Sequence, residues 1–136
     1  MTVLVDTSIW SLMLRRGRRH LSSQEEAQVS VLEDLVRAGQ ARLLGAVRQE
    51  LLTGIKHRQQ FERLRRELRN FFDVELDNED YETAAEISNQ SQDRGIVGSS
   101  IDMLLCSVAM RRGWAIYTSD RDFERYARHL DITLYR

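Results

Sequence analysis

Proline is absent from the sequence, cysteine occurs once, at Cys106, and histidine occurs three times. A single cysteine excludes a disulfide framework, and so few thiol and imidazole ligands exclude the common structural zinc sites. No apolar run reaches the about 18 residues of a membrane-spanning helix, and there is no leader of secretory type. These absences predict a protein without a membrane span, and we expect it in the cytoplasm.

Lysine is almost as scarce, since Lys56 is the one lysine among 20 basic residues and the others are arginine. Any reaction that needs a catalytic lysine would depend on Lys56. Two explanations of the arginine bias stay open: the codon composition of the genome, and a surface that binds phosphate groups bidentately. The formal net charge is −1, which excludes a strongly basic nucleic-acid-binding domain.

The 136 residues, 42% of them hydrophobic, fit one domain that spans residues 1–136. Short apolar runs alternate with segments of helical periodicity, which predicts an α/β fold with a short central parallel sheet flanked by helices. The predicted strands are Thr2–Val5, Ala41–Leu44, Asp73–Leu76, Trp114–Tyr117 and Ile132–Leu134. The predicted helices are Ser8–Leu14, a helix from a Ser23–Glu26 capping box to Gly39, Ala46–Thr53, His57–Phe72, a helix from Asp77 or Asn78 to about Arg94, a helix from Ser99 to Gly113, and Asp120–Arg128.

Several large or soft side chains are assigned to the core by the same periodicity. Helical spacing places Phe72 and Tyr81 on buried faces. Trp10 and Trp114 are expected to pack in or near the core. Cys106 is expected to fill space as a small apolar residue. The histidines have no partner spacing that indicates a metal site or a catalytic dyad.

Carboxylates follow the predicted strands at the points where ligands bind in parallel sheets. Asp6 directly follows the first strand, and Asp120 and Asp122 follow Trp114–Tyr117. Asp102 lies in the first turn of a helix, and Glu50 lies in the helix after Ala41–Leu44. Clustered carboxylates repel one another unless a cation neutralises them, and a ligand set of oxygens suits Mg²⁺ or Mn²⁺. The pattern predicts a divalent metal site that acts on a phosphodiester.

Each acid also has a simpler interpretation. Asp6 is a suitable N-cap for the following helix, and Asp102 suits the first turn of a helix that Ser99 caps. Asp122 stands three residues after Ser119, and this spacing taken alone favours a cap from that serine. Glu50 has the default of an exposed helical glutamate. Single positions do not decide between these interpretations, and their joint placement at strand ends favours a site.

Four ordered blocks carry a family resemblance. They are Val3-Leu4-Val5-Asp6-Thr7-Ser8, Gln49-Glu50-Leu51-Leu52-Thr53-Gly54, Ile101-Asp102-Met103-Leu104-Leu105 and Tyr117-Thr118-Ser119-Asp120-Arg121-Asp122-Phe123. Their order and spacing resemble PIN-domain ribonucleases over almost the full chain, and the size is similar to that of the VapC toxins of type II toxin–antitoxin pairs. A PIN-like three-layer fold is what this resemblance implies.

The resemblance also implies roles for the matching residues. Asp6, Glu50, Asp102 and Asp120 would be the catalytic and metal-binding acids, Asp122 a further metal ligand, and Ser8 and Thr118 accessory hydroxyls. The family implies Mg²⁺ or Mn²⁺ as cofactor and RNA as substrate. It also implies a VapB-type antitoxin that inserts into the active-site groove, and a homodimer.

The phosphates of RNA would need arginines beside a site that carries several negative charges. Candidates are Arg15 and Arg16, with Arg18 and Arg19, in the first basic loop, and Arg94 before Gly95. A solvated charged face is the alternative for that loop. In the helix His57–Phe72, Arg63, Arg65, Arg66 and Arg69 alternate with Glu62 and Glu67, which predicts ion pairs along the helix.

A non-catalytic protein with the same fold is the main alternative to a nuclease. Such a PIN-like binding module would act through protein or RNA binding alone, and loss of a catalytic acid would be its mark in the sequence. All four acids are present. The sequence therefore favours catalysis.

Overall fold

The computed structural model describes residues 1–15 and 20–136. Its sheet has four strands in the order β2-β1-β3-β4, and all pairs are parallel. The strands are β1 (Val3–Val5), β2 (Ala41–Arg42), β3 (Ala115–Tyr117) and β4 (Thr133–Leu134). Val3 is in register with Ala41 on one side and with Ala115 on the other. The three residues of β1 are fully buried, as expected for the central strand of a covered sheet.

Seven helices in the described ranges flank this sheet, which confirms the predicted α/β class. They are α1 (Thr7–Leu14), α2 (Ser23–Arg37), α3 (Gly45–Leu52), α4 (Arg58–Leu68), α5 (Asn78–Asp93), α6 (Ser100–Arg112) and α7 (Asp122–Tyr126). None of the helices in these ranges is long and apolar enough to cross a membrane.

The helix boundaries follow local capping chemistry. Asp77 caps α5, where its carboxylate accepts from the N–H of Asp80 at 3.0 Å. Ser99 caps α6, and that helix ends at Gly113, whose φ of 68° is left-handed, a conformation that glycine adopts without steric cost. At α2 the capping box uses Ser22 with Glu25, one residue before the predicted pair. Two serines and two glutamates follow one another here, Ser22-Ser23 and Glu25-Glu26. The sequence alone therefore does not show which serine is the N-cap.

Two predictions between α4 and α5 are wrong. The helix predicted to reach Phe72 ends at Leu68, and Phe72 is 92% exposed. Phe71 turns inward alone and packs edge-on against Trp10 with ring centroids 4.9 Å apart. The predicted strand Asp73–Leu76 is reduced to one parallel bridge between Leu43 and Asp73. The Asp73 carboxylate instead accepts a hydrogen bond from Arg48 at 2.8 Å.

The core predictions hold for Trp10 and Cys106, which are both fully buried. Trp114 is partly buried and packs against the core, with the Arg112 guanidinium 5.5 Å from its ring centroid. Tyr81 is 56% exposed, contrary to the prediction. Its position in the first turn of α5 lies at the margin of the apolar stripe, where periodicity does not separate buried from exposed.

Candidate active site

Asp6 stands at the junction of β1 and α1. Its backbone N–H donates to the carbonyl of Tyr117 at 2.9 Å, which joins the ends of β1 and β3. The residue occupies the N-cap position of α1, yet its side chain makes no cap hydrogen bond. Instead, its Oδ2 accepts from the hydroxyls of Ser8 at 2.8 Å and Thr118 at 2.7 Å. The side chain is 5% exposed, so it belongs to the floor of the candidate site.

The two hydroxyls connect this carboxylate to the loop after β3. Ser8 Oγ accepts from the N–H of Ser119 at 3.0 Å, and Thr118 Oγ1 accepts from the N–H of Asp120 at 3.0 Å. The loops that follow β1 and β3 are therefore held together by side chains from both. Ser8 and Thr118 both contact Asp6, and the accessory roles that the resemblance implies for them stay a prediction.

Asp102 is supplied by the first turn of α6. Ser99 Oγ accepts from its backbone N–H at 3.0 Å, so the serine alone serves the cap. The carboxylate Oδ2 accepts a hydrogen bond from the Tyr126 hydroxyl at 2.7 Å. Tyr126 is almost fully buried, and a Cβ on Gly98 would lie 3.0 Å from its hydroxyl oxygen. The missing side chain at Gly98 leaves room for this contact.

Asp120 lies in the turn between β3 and α7, and Asp122 is the first residue of α7. Asp120 Oδ1 accepts from the N–H of Asp122 at 2.9 Å. The predicted cap from Ser119 is wrong, because α7 has no side-chain cap hydrogen bond and its N-cap position is Arg121. Arg125 lies 3.6 Å from the Asp122 carboxylate. Both aspartates are exposed, so their remaining oxygens are accessible to a ligand.

Three of these acids form one compact group in the described part of the chain. Asp102, Asp120 and Asp122 each offer a carboxylate oxygen, and the three oxygens lie within 4.8 Å of one another. Oxygen-only ligands with two exposed members fit Mg²⁺ or Mn²⁺, which keep several waters when bound. The donor set does not resemble that of zinc, which prefers histidine and cysteine.

The charges in this region disfavour one another when no cation is present. Burial raises the pKa of Asp6, although the hydrogen bonds from Thr118 and Ser8 oppose that change. The pKa of Asp102 is raised by burial and by the charges of Asp6 and Asp120, against the Tyr126 hydrogen bond. A bound divalent cation would reverse these electrostatic costs.

Cys106 is fully buried on α6, one helical turn after Asp102. Burial raises the pKa of its thiol, and the charges of Asp102 and Asp6 raise it further. The thiol is therefore protonated and unreactive at neutral pH. This agrees with its predicted role as an apolar filler.

Glu50 and the candidate arginines lie outside the three-carboxylate group. Glu50 is exposed near the end of α3, and its place among the catalytic acids stays a prediction. Arg15 is exposed at the end of α1, and Arg94 is exposed at the end of α5. Arg16, Arg18 and Arg19 fall outside the described residues.

Tyr126 is the residue contacting this site that the sequence prediction missed. A signal for it was present, because Tyr126 stands four positions after Asp122 and shares a helix face with it. The sequence analysis assigns Tyr126 no role, because nothing in the sequence relates α7 to Asp102. That relation arises from tertiary packing.

The geometry agrees with a comparison against protein families, in which the PIN domain matches residues 3–129. The chain belongs to the PIN-domain family. The four ordered sequence blocks are thus confirmed as a PIN resemblance. A comparison with curated protein sequences gave no significant match.

Solved structures with the same PIN fold include three protein pairs. FitAcB from Neisseria gonorrhoeae has 18% sequence identity and a TM-score of 0.77, over 99% of this chain and 97% of that one. VapBC2 from Rickettsia felis, bound to a DNA fragment from its promoter, has 18% identity and a TM-score of 0.70, over 99% and 98%. VapBC-5 from Mycobacterium tuberculosis, a member of the VapBC family of toxin–antitoxin systems, has 13% identity and a TM-score of 0.67, over 100% and 99%. At these identities the likeness is one of fold.

Proposed function

We propose that the chain is a single PIN domain, residues 1–136, and a metal-dependent endoribonuclease that uses Mg²⁺ or Mn²⁺. One observation carries the proposal: three carboxylate oxygens lie within 4.8 Å of one another, and Thr118 links this group to the buried carboxylate of Asp6. Burial and the charges of Asp6 and Asp120 raise the pKa of Asp102, and a bound cation would offset that electrostatic cost. PIN-family membership, by residues 3–129, supports the same reading.

The proposed ligands are Asp6, Asp102, Asp120 and Asp122. A divalent cation held there supplies Lewis-acid stabilisation of phosphoryl oxygens and lowers the pKa of water. Ser8 and Thr118 hold Asp6 in place through their hydrogen bonds. Tyr126 holds one oxygen of Asp102 through its hydroxyl.

The proposed reaction is in-line hydrolysis of an RNA phosphodiester. The oxygen of a water molecule bonds to phosphorus while the bond from phosphorus to the leaving ribose oxygen breaks. The water gives up one proton to solvent, and the leaving oxygen takes up one proton from solvent and departs as a hydroxyl. Glu50, exposed on α3, is proposed to orient that water. Arg15, Arg16 and Arg94 are proposed to contact flanking phosphates, because the carboxylates themselves repel RNA.

We further propose that the chain is the toxin of a VapBC-type pair. Support comes from the fold shared with VapBC-5, a member of a toxin–antitoxin family. A VapB-like antitoxin would then cover the site, and the toxin would act in the cytoplasm as a homodimer. These assignments rest on likeness of fold and on the ordered sequence blocks.

The test is cleavage of a mixed small-RNA pool by purified, antitoxin-free protein with Mg²⁺, with Mn²⁺ and with chelator. We expect cuts at discrete sites that require metal and vanish in Asp102→Asn, since the variant removes one ligand charge. Asp131→Asn is the matched control, because Asp131 is exposed and outside the carboxylate group.

Two results would contradict the proposal. Equal cutting by wild type and Asp102→Asn would show that the activity belongs elsewhere. A folded wild type that cuts nothing and binds no Mn²⁺ in a calorimetric titration would favour the binding module without catalysis.

A further inference from the structure

The exposed side of α4 carries arginines that the described acidic side chains do not neutralise. Arg58 and Arg65 both pair with one residue, Glu62. Arg63 and Arg66 are exposed, and they form no ion pair within residues 1–15 and 20–136. The prediction that ion pairs along the helix account for its arginines holds for Arg65. It is wrong for Arg63, Arg66 and Arg69, which form no ion pair among the described residues.

Helical spacing places Arg63 and Arg66 in one row with a polar residue, Gln59. Gln59, Arg63 and Arg66 are related by steps of four and three residues, so they lie on the same face of α4. The opposite face holds Leu64 and Leu68, which are buried in the core. The row therefore lies on a helix whose other face is packed into the core, and it points away from the apolar interior.

A concave surface accompanies the row. Its volume is about 940 Å³, and every side chain that lines it is polar or charged. The cations are Arg58, Arg63 and Arg66, and the one acid among the lining residues is Glu62, which is already paired. A surface with this composition lacks the apolar anchors of a protein-binding groove.

The chemistry of this surface fits a phosphate backbone. Guanidinium groups bind phosphate bidentately, and exposed arginines in a row can follow successive phosphates of a single strand. Helix α4 contacts α3, the helix that carries Glu50. The candidate site itself is acidic, so affinity for RNA has to come from cationic surfaces beside it.

We propose that the Arg63–Arg66 face of α4, lined also by Arg58 and Gln59, binds the phosphate backbone of single-stranded RNA. The inference rests on the proposed ribonuclease function and names the surface that holds the substrate strand. It assigns no base specificity to this face, because phosphate contacts carry none.

The test measures binding of a fluorescein-labelled oligouridylate of about 20 nucleotides, a length that exceeds a single small binding surface. Fluorescence anisotropy is recorded with the full-length protein in chelator, between about 50 and 200 mM salt. Each phosphate contact on single-stranded nucleic acid contributes about 0.7 to the slope of log affinity against log salt. We expect Arg66→Gln to lower the slope by about 0.7 and Arg63→Gln/Arg66→Gln by about 1.4.

Arg37→Gln is the matched control. Arg37 is exposed on α2 and pairs with Asp34, so its loss should leave the slope unchanged. Far-UV circular dichroism and thermal unfolding check that the variants fold, which is expected because the substituted side chains are exposed. An unchanged slope in the double variant overturns the inference, as does a wild type that does not bind the oligonucleotide.

The outcome is separable from that of the proposed nuclease activity. If wild type cleaves RNA but the double variant keeps the wild-type slope, the surface assignment fails alone. If wild type cleaves no RNA and the double variant still loses slope, the face binds RNA and the nuclease proposal fails. Loss of antitoxin binding with an unchanged slope would overturn the inference and assign the face to a protein.

Discussion

Two kinds of partner hold the buried or half-buried aspartates of this chain. Asp6 accepts from Ser8 and Thr118, and Asp102 accepts from Tyr126. Hydroxyl groups orient a carboxylate without adding a positive charge, so neither aspartate is neutralised by these partners. Asp80, by contrast, is held by arginines. The neighbours of each aspartate therefore determine whether its charge is paired with arginines, as in Asp80, or is only oriented by hydroxyl groups, as in Asp6 and Asp102.

The contact between Tyr126 and Asp102 gives a residue-scale prediction. Tyr126→Phe removes the hydroxyl that orients Asp102 and keeps the ring that packs against Phe123 at 5.1 Å. Loss of a hydrogen bond that orients a metal ligand weakens metal binding by about 10- to 100-fold. We expect Mn²⁺ affinity, measured by isothermal titration calorimetry, to fall within that range.

Tyr117→Phe is the control for that measurement. Its hydroxyl donates to the carbonyl of Gln28 at 3.0 Å, so each variant loses one tyrosine hydrogen bond, but only one of the bonds reaches a carboxylate. We expect Tyr117→Phe to bind Mn²⁺ as wild type does. Equal affinities in wild type and Tyr126→Phe would contradict the positioning role.

At this scale, the sequence located the acids better than their partners. Strand ends were enough to place Asp6, Asp120 and Asp122 in one region, because parallel strands end at the same edge of a sheet. The hydrogen bonds to Ser8 and Tyr126 depend on loop conformation and helix packing. Neither follows from periodicity.

At the scale of elements, the pairing of α5 with α6 depends on a buried charge. Asp80 is fully buried. It accepts from Arg111 at 2.7 Å and from Arg112 at 2.7 and 2.9 Å. Its backbone carbonyl accepts from the Ser107 hydroxyl at 2.7 Å. The start of α5 is therefore joined to the end of α6, opposite the turn of α6 that carries Asp102.

Asp80→Asn should destabilise the protein strongly. The variant leaves Arg111 and Arg112 beside a buried neutral group, and breaking a buried pair from one side costs about 3 kcal/mol or more. The free energy of unfolding from urea titration measures the loss at neutral pH. Asp93→Asn, an exposed change on the same helix, should be close to neutral.

The pH dependence of that difference has a definite sign. The arginine contacts hold the pKa of Asp80 well below its usual range, so the folded state releases this proton more readily than the unfolded state. The stabilisation is complete above the unfolded pKa of about 4 and declines as pH falls further. The gap between wild type and Asp80→Asn should narrow below about pH 4, and a gap that widens there would contradict the assignment.

Capping residues were the most predictable features of the elements. Asp77, Ser99 and Gly113 mark boundaries by local hydrogen bonds and backbone conformation. The end of α4 was not predictable, because Phe71 and Phe72 continue the apolar run beyond the last helical residue. Only the packing of Phe71 on Trp10 shows which of the two rings is used.

At the scale of the whole molecule, metal binding and folding stability are linked. Burial and neighbouring charges raise the pKa values of Asp6 and Asp102, so protons compete with a cation for both. At about 100 times its dissociation constant, a bound ion adds about 2.7 kcal/mol to stability. We expect Mn²⁺ to raise the melting temperature by several degrees near pH 7.5, and by less near about pH 5.

Differential scanning fluorimetry at both pH values, with and without Mn²⁺, provides the measurement. Asp102→Asn should show a smaller shift than wild type at neutral pH, since it has lost one ligand charge. A shift of the same size at both pH values would indicate that the ion binds elsewhere.

The overall fold was the most predictable level, because alternation of strand and helix with no repeat allows few arrangements. The loss of the Asp73–Leu76 strand did not disturb it, since that segment lies beside β2 at the edge of the sheet. The distribution of charge over the surface was harder to predict from the sequence than the fold. A net charge of −1 conceals an acidic edge and an arginine-bearing helix.

Strand β1 is synthesised before the other strands, but its pairing with β3 can form only late in synthesis. β1 begins at Val3, but its neighbour β3 begins at Ala115, and the hydrogen bond from Thr118 to Asp6 spans 112 positions. A nascent chain still lacking its last quarter therefore has Asp6 but neither Asp120 nor the threonine that holds it. The carboxylate group can therefore form only after the segment that follows β3 has been synthesised. Proteolytic fragments that lack either β1 with Asp6 or β3 with Asp120 are expected to be inactive.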